Sequence, residues 1–261
     1  GPSSPGPKRD VAIASTDQKA PAPDNEAAPA QGYGFGTFKG VFVPSVLTIL
    51  GVIMYLRFGW VVANAGLAMT LVIVTVSTAI TFLTALSISA IATNMRVGTG
   101  GAYYMISRTL GVEAGVAIGL PLFIAKALSI SFYIAGFAEA ISFYMPGVPM
   151  PAIGAATLVL LTILTIVSAD LALKTQFIIF GAIILSLVSF FAGGNIDPAT
   201  LPGAGETFER ASFWVVFAVF FPAVTGIEAG LGMSGDLKDP ARSLPNGTFA
   251  AIGVTYLVYL A

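Results

Sequence analysis

A chain of 261 residues in which 56% of the side chains are hydrophobic, only 10% are charged and the mean hydropathy is +0.88 is too apolar to be a soluble domain of ordinary design. Its formal net charge of −1 offers no basic surface for nucleic acid, and the absence of His removes the commonest metal ligand and near-neutral base. With no Cys there is no disulfide framework, thiolate nucleophile or redox motif, so the composition points away from an enzyme and from any cofactor.

The first 30 residues carry six prolines and almost no large apolar side chain, and residues 1–35 read as a disordered cytoplasmic tail. Nothing there has the basic start and apolar run of a signal peptide. Residues 36–261 read as a transmembrane domain. From Gly40 onward, apolar stretches fall at about 40–64, 68–92, 114–145, 151–169, 175–193, 212–233 and 246–261. About 20 helical residues cross a hydrocarbon core of about 30 Å, and strands of a barrel would be shorter and alternating. Seven helical spans are therefore expected, the third tilted or overlong and the seventh cut short, as in a chain truncated within that helix.

Lys39, Arg96, Arg108, Lys174, Lys238 and Arg242 fall on the side that holds the amino terminus, against Arg210 on the other. Cytoplasmic loops carry the Lys and Arg excess, so the amino terminus is expected in the cytoplasm of a multi-pass cell-membrane protein. The acidic 194–211 connection then faces outward. An Asn246-Gly247-Thr248 glycosylation triplet falls on the cytoplasmic side and is set aside.

Arg57, Lys126, Glu139 and Glu228 interrupt otherwise apolar spans, where ionisable groups need partners or water. Backbone-breaking residues stand near the middles of two spans: Gly51 in the first, and Pro222 with Gly226 and Gly230 in the sixth. Paired discontinuous helices point to a midplane site, where freed N–H groups bind anions and freed carbonyls bind cations. Each feature also has a plain structural reading: glycines as packing surfaces, Tyr133 as a packed aromatic, Arg57 with Glu139 and Lys126 with Glu228 as structural ion pairs.

Four ordered blocks resemble a known family: Thr37 to Pro44 with Ile49 to Arg57, Gly100 to Arg108, Tyr133 to Glu139, and Phe221 to Gly226 with Ser234 to Pro245. They are similar to the first helix, the second-to-third connection, the third helix and the sixth helix with its following loop in the cation–chloride cotransporters, especially the potassium–chloride branch. A prokaryotic-type homologue is implied. That family belongs to the amino acid–polyamine–organocation superfamily. The resemblance thus implies an all-α membrane protein with the first half of a leucine-transporter-like 5+5 inverted repeat, here helices 1–6 and part of 7.

The same resemblance implies residue roles. Potassium would lie among Thr48, Ile49, Tyr133, Pro222 and Thr225. One chloride would take the amides of Gly51, Val52 and Ile53, and a second those of Gly226 and Ile227. Arg57 and Glu139 would form an extracellular gate. Three positions depart from the pattern: Thr48 replaces a usual Asn, and Lys126 and Glu228 stand where the family has uncharged residues. The latter two are coupling candidates, because an ammonium can replace a coupling cation and a carboxylate beside a chloride site repels chloride unless protonated or paired.

Two functions follow as expectations. One is symport of chloride with potassium, and with sodium as a further candidate, by alternating access. The other is a proton-coupled amino acid or amine permease on the same fold, with a non-transporting subunit as a third. The expected partners are the lipid bilayer, the transported ions and a second copy in a homodimer, with no nucleic acid and no metal beyond the transported cation.

Overall fold

The computed structural model describes residues 34–95, 97–193 and 210–261 beyond the first residue. The expected tail apart from Gly1, Gly34 and Phe35, together with Arg96 and most of the 194–211 connection, lies outside the described residues. Among those described, six helices are long and apolar enough to cross a membrane: Phe38–Leu56, Phe58–Asn94, Val112–Tyr144, Met150–Val167, Leu173–Ala192 and Phe213–Asp236. The seventh stretch lies in a further helix, Pro240–Leu260, whose first turns carry Arg242, Pro245 and Asn246, so its polar start rather than a short length sets it apart.

The first span is in pieces. A π-helical turn, Phe38–Phe42, runs into α1 (Val43–Ile49); the chain then leaves helical geometry at Leu50 and Gly51 before α2 (Val52–Leu56). After Arg57 comes α3 (Phe58–Asn94), and inside it Gly66 sits at φ 70°, ψ 166°. A side chain is strained at that angle and Gly is not. Gly66 therefore marks the turn between the first and second spans, where the hydropathy dip at 64–68 predicts it.

Next come α4 (Ala102–Leu110), α5 (Val112–Tyr144), α6 (Met150–Val167) and α7 (Ala169–Ala192). Ser168 caps α7, its hydroxyl accepting the Leu171 amide at 3.1 Å. The sixth span is broken like the first: α8 (Phe213–Phe220), a 3₁₀ stretch Phe221–Thr225, α9 (Glu228–Gly232) and a 3₁₀ turn Ser234–Asp236. Pro222 removes a backbone donor and clashes with a continuing α-helix, which accounts for the change of helix type there. Finally α10 (Pro240–Leu260) starts from Asp239, whose carboxylate accepts the Arg242 amide at 3.3 Å.

The buried core is where the two broken spans cross. Val46, Ile49, Leu50 and Ile53 pack with Phe220, Ala223, Val224 and Ile227, and α3 and α10 close over them through Val61, Ile73, Val74, Ala251, Ile252 and Tyr259. α6 has no buried residue, as expected of an apolar helix that meets lipid. One end of the bundle is tied by the segment just before the first span: Phe35 forms a parallel bridge with Leu237, its amide donating to Asp236 O at 2.8 Å and its carbonyl accepting from Lys238 N at 3.0 Å. Thr37 donates to Ser243 Oγ at 3.2 Å alongside. At the opposite end the Asn64 carboxamide oxygen accepts the Ala211 amide at 3.0 Å.

Close helix packing rests on missing side chains. Gly230 is not part of the break expected of it; it lies inside α9, where a β-carbon would stand 2.7 Å from Val41 Cγ1 and 3.0 Å from the Val41 carbonyl. Gly230→Val should lower unfolding stability in detergent by about 1–3 kcal/mol through overpacking. Gly181→Val, at a position with open space around it, should leave the thermal midpoint unchanged.

Candidate functional site

The two backbone breaks meet. A β-carbon on Gly226 would stand 2.8 Å from Thr48 Cβ and 2.9 Å from the Ile49 amide nitrogen, so only a bare backbone lets the sixth span approach the first at its break. Beside this crossing, Thr48, Val52, Ile53, Tyr133, Pro222 and Thr225 line a cavity of about 270 Å³, together with Leu128, Ser129, Phe132 and Ala223 from the same three spans.

Four of the five residues that the resemblance implies for a cation therefore share one cavity wall. The fifth, Ile49, does not line it: the residue is 2% exposed, and its carbonyl accepts the Tyr259 hydroxyl at 2.9 Å. Of the first chloride set, Val52 and Ile53 line the cavity, and Gly51 precedes them as the N-cap of α2. Gly226 and Ile227 are buried against the first span instead, Ile227 at 4% exposure.

The hydroxyl chemistry of the cavity is one-sided. Thr48 Oγ1 donates its hydrogen to Pro44 O at 2.9 Å, and Thr225 Oγ1 donates to Pro222 O at 2.8 Å. A hydroxyl has one hydrogen and two lone pairs, so what both oxygens retain is acceptor capacity.

Two ion pairs flank the cavity along α5. Arg57 grips Glu139 with both ends of its guanidinium, Nη1 to Oε1 at 2.9 Å and Nη2 to Oε2 at 2.7 Å, and Nη1 also reaches Leu56 O at 3.2 Å. The fork geometry is the strong form of a carboxylate contact. A second cavity of about 620 Å³ runs from Arg57, Leu56 and Trp60 to Ile53, Phe132 and Pro222, which belong to the first cavity as well. On the other side, Lys126 Nζ stands 3.8 Å from Glu228 Oε2, with both side chains about half exposed. Since a helix rises 1.5 Å per residue, Lys126 and Glu139 lie about 10 Å and about 9 Å along α5 from Tyr133 in opposite directions.

Sequence reasoning brought out both charge pairs but missed Ser129, Leu128 and Tyr259. Ser129 and Tyr133 stand at i and i+4 on α5, so one helical face carries both, a spacing that was available to find it. The cavity wall is checkable in a background without other cysteines: Ser129→Cys should react with a small water-soluble methanethiosulfonate, and Val46→Cys, from a position 1% exposed, should not. Equal labelling would show that no cavity opens at Ser129.

The amino acid permease family model matches residues 40–261. The chain is 38% identical over 250 residues to solute carrier family 12 member 2 of Mus musculus, covering 87% of this chain and 21% of that protein. It is 36% identical over 265 residues to member 3 of Mus musculus (91% and 26%) and 37% identical over 262 residues to member 1 of Oryctolagus cuniculus (91% and 24%). The chain thus spans about a quarter or less of the length of these curated relatives. With its apolar spans, its two broken helices and a match that runs from the start of the first span to the last residue, the chain belongs to the amino acid permease family of membrane transporters, on the side of it that resembles the cation–chloride cotransporters.

Proposed function

We propose that this chain carries the ion-binding half of a secondary symporter that couples chloride to potassium, with sodium as a further coupled cation, by alternating access around the crossing of the broken spans. The observation that carries the reading is the acceptor capacity of two threonine hydroxyls in the cavity: Thr48 and Thr225 donate their hydrogens to Pro44 O and Pro222 O, so their oxygens, beside Tyr133, suit a weakly hydrated cation. Chloride is assigned to the start of α2. The amides of Val52 and Ile53 open a new helix there instead of continuing α1, and both residues line the cavity. The similarity to three members of solute carrier family 12 supports the same class of substrate.

Arg57 and Glu139 serve in this reading as the gate between the cavity and one side of the membrane. Their pair joins the outer piece of the first span to α5, so breaking it frees that piece to move. The basic residues support an orientation with this gate outside. Lys39 and Lys238 sit at the end tied by the Phe35–Leu237 bridge, and Arg210 adjoins the Asn64–Ala211 tie at the other.

A proton-coupled amino acid or amine permease is the second reading, favoured by the Lys126–Glu228 contact at 3.8 Å beside the site. Rubidium influx into vesicles holding the full-length protein separates the two. We expect influx to fall at least tenfold when gluconate replaces external chloride and to be indifferent to a panel of amino acids. Chloride-independent uptake of an amino acid, abolished by Glu228→Gln, would establish the second reading instead. Tyr133→Phe should lower rubidium influx, and unchanged uptake would remove Tyr133 from the site. Arg57→Glu and Glu139→Arg should each impair transport, and the double swap should restore more than either single change; simply additive losses would argue against a gate pair.

A further inference from the structure

The hydrogen bond between Tyr259 and Ile49 joins residues 210 positions apart and is buried. In an unbroken helix the Ile49 carbonyl would accept from the Ile53 amide. Here α1 ends at Ile49, α2 begins at Val52, and the carbonyl accepts from a phenol on α10. The Tyr259 ring is fixed for this task, with its centroid 5.1 Å from that of Phe58 and 5.2 Å from that of Phe220, and the residue is 5% exposed. Thr48, one residue earlier, faces the cavity, and Ile49 does not.

We propose that Tyr259 is a positioning residue of the cation site: its hydroxyl holds the Ile49 carbonyl while the site is empty and gives it up when a cation arrives. The inference rests on the cation reading above. A carbonyl freed at a helix break and buried among Phe220, Val46 and Ile53 is costly without a donor. Tyr259 supplies that donor. A cation drawn to the oxygens of Thr48 and Thr225 competes with the phenol for the same carbonyl. Occupancy of the site is thereby felt by α10, which itself contributes no residue to the cavity lining among those described. The hydroxyl thus stabilises the empty site and sets the cation concentration needed to fill it.

Tyr259→Phe keeps the ring and deletes the donor. In the full-length protein reconstituted in vesicles, we expect the half-saturating rubidium concentration to fall about tenfold, which corresponds to about 1.4 kcal/mol and lies within the cost of an unpaired buried carbonyl. The half-saturating chloride concentration should stay unchanged, which a merely structural defect would not arrange. Tyr259→Leu deletes the same hydroxyl in a different shape and should shift rubidium affinity in the same direction. An unchanged or raised half-saturating rubidium concentration in either variant that folds would overturn the role of Tyr259 alone. If the unsubstituted protein shows no saturable rubidium uptake, the cation reading itself fails and Tyr259 falls with it.

Discussion

A helix inside a membrane can stop bonding to itself only if something else takes up its backbone groups, because the hydrocarbon offers no water to do so. Two spans here stop, at Leu50–Gly51 and at Phe221–Gly226, and they stop against each other. The contact is made at Gly226, whose bare backbone meets Thr48 and Ile49. Freed carbonyls and amides are thus pooled in one place, with α5 supplying side chains and α10 supplying a phenol. The cavity, the flanking ion pairs and the buried core all take their positions from that crossing.

Much of this was legible in the sequence because it was written in residues that do not belong in lipid. Gly51, Pro222 and Gly226 signalled the breaks, and four charges in apolar spans signalled two pairs. The structure joins them as Arg57 with Glu139 and Lys126 with Glu228. What escaped has a common physical character. The Ile49 carbonyl and the Phe35 bridge are backbone features that any residue type would supply, so no letter in the sequence marks them. Gly230 was legible as an anomaly but not as to its purpose, since a glycine that breaks a helix and one that admits a neighbour look alike until Val41 is seen against it. Tyr259 sat in a stretch read only as a span, and an aromatic there gives no sign of which carbonyl it will meet.

The arrangement also separates what is rigid from what is free to move. α5 is one uninterrupted helix of 33 residues and carries Lys126, Tyr133 and Glu139 on a fixed spacing. Each ion pair links it to a short piece of a broken span, Arg57 after α2 and Glu228 at the start of α9. These pieces are five residues long, too short to be held by their own hydrogen bonds. Their positions depend on contacts such as Val52 against Gly136 and Gly230 against Val41. Small changes in a few contacts can therefore relocate them without disturbing the scaffold.

The ties that complete the first span come from far along the chain. Thr37 meets Ser243 across 206 positions, and Ile49 meets Tyr259 across 210. At a synthesis rate of about 5–20 residues per second, about 10–40 s separate the emergence of the first span from that of its partners. Throughout that interval a broken helix with Arg57 at its C-terminal end has neither α9 nor α10 to lean on. The packing of the first span is thus completed late in synthesis, by residues that follow five further helices.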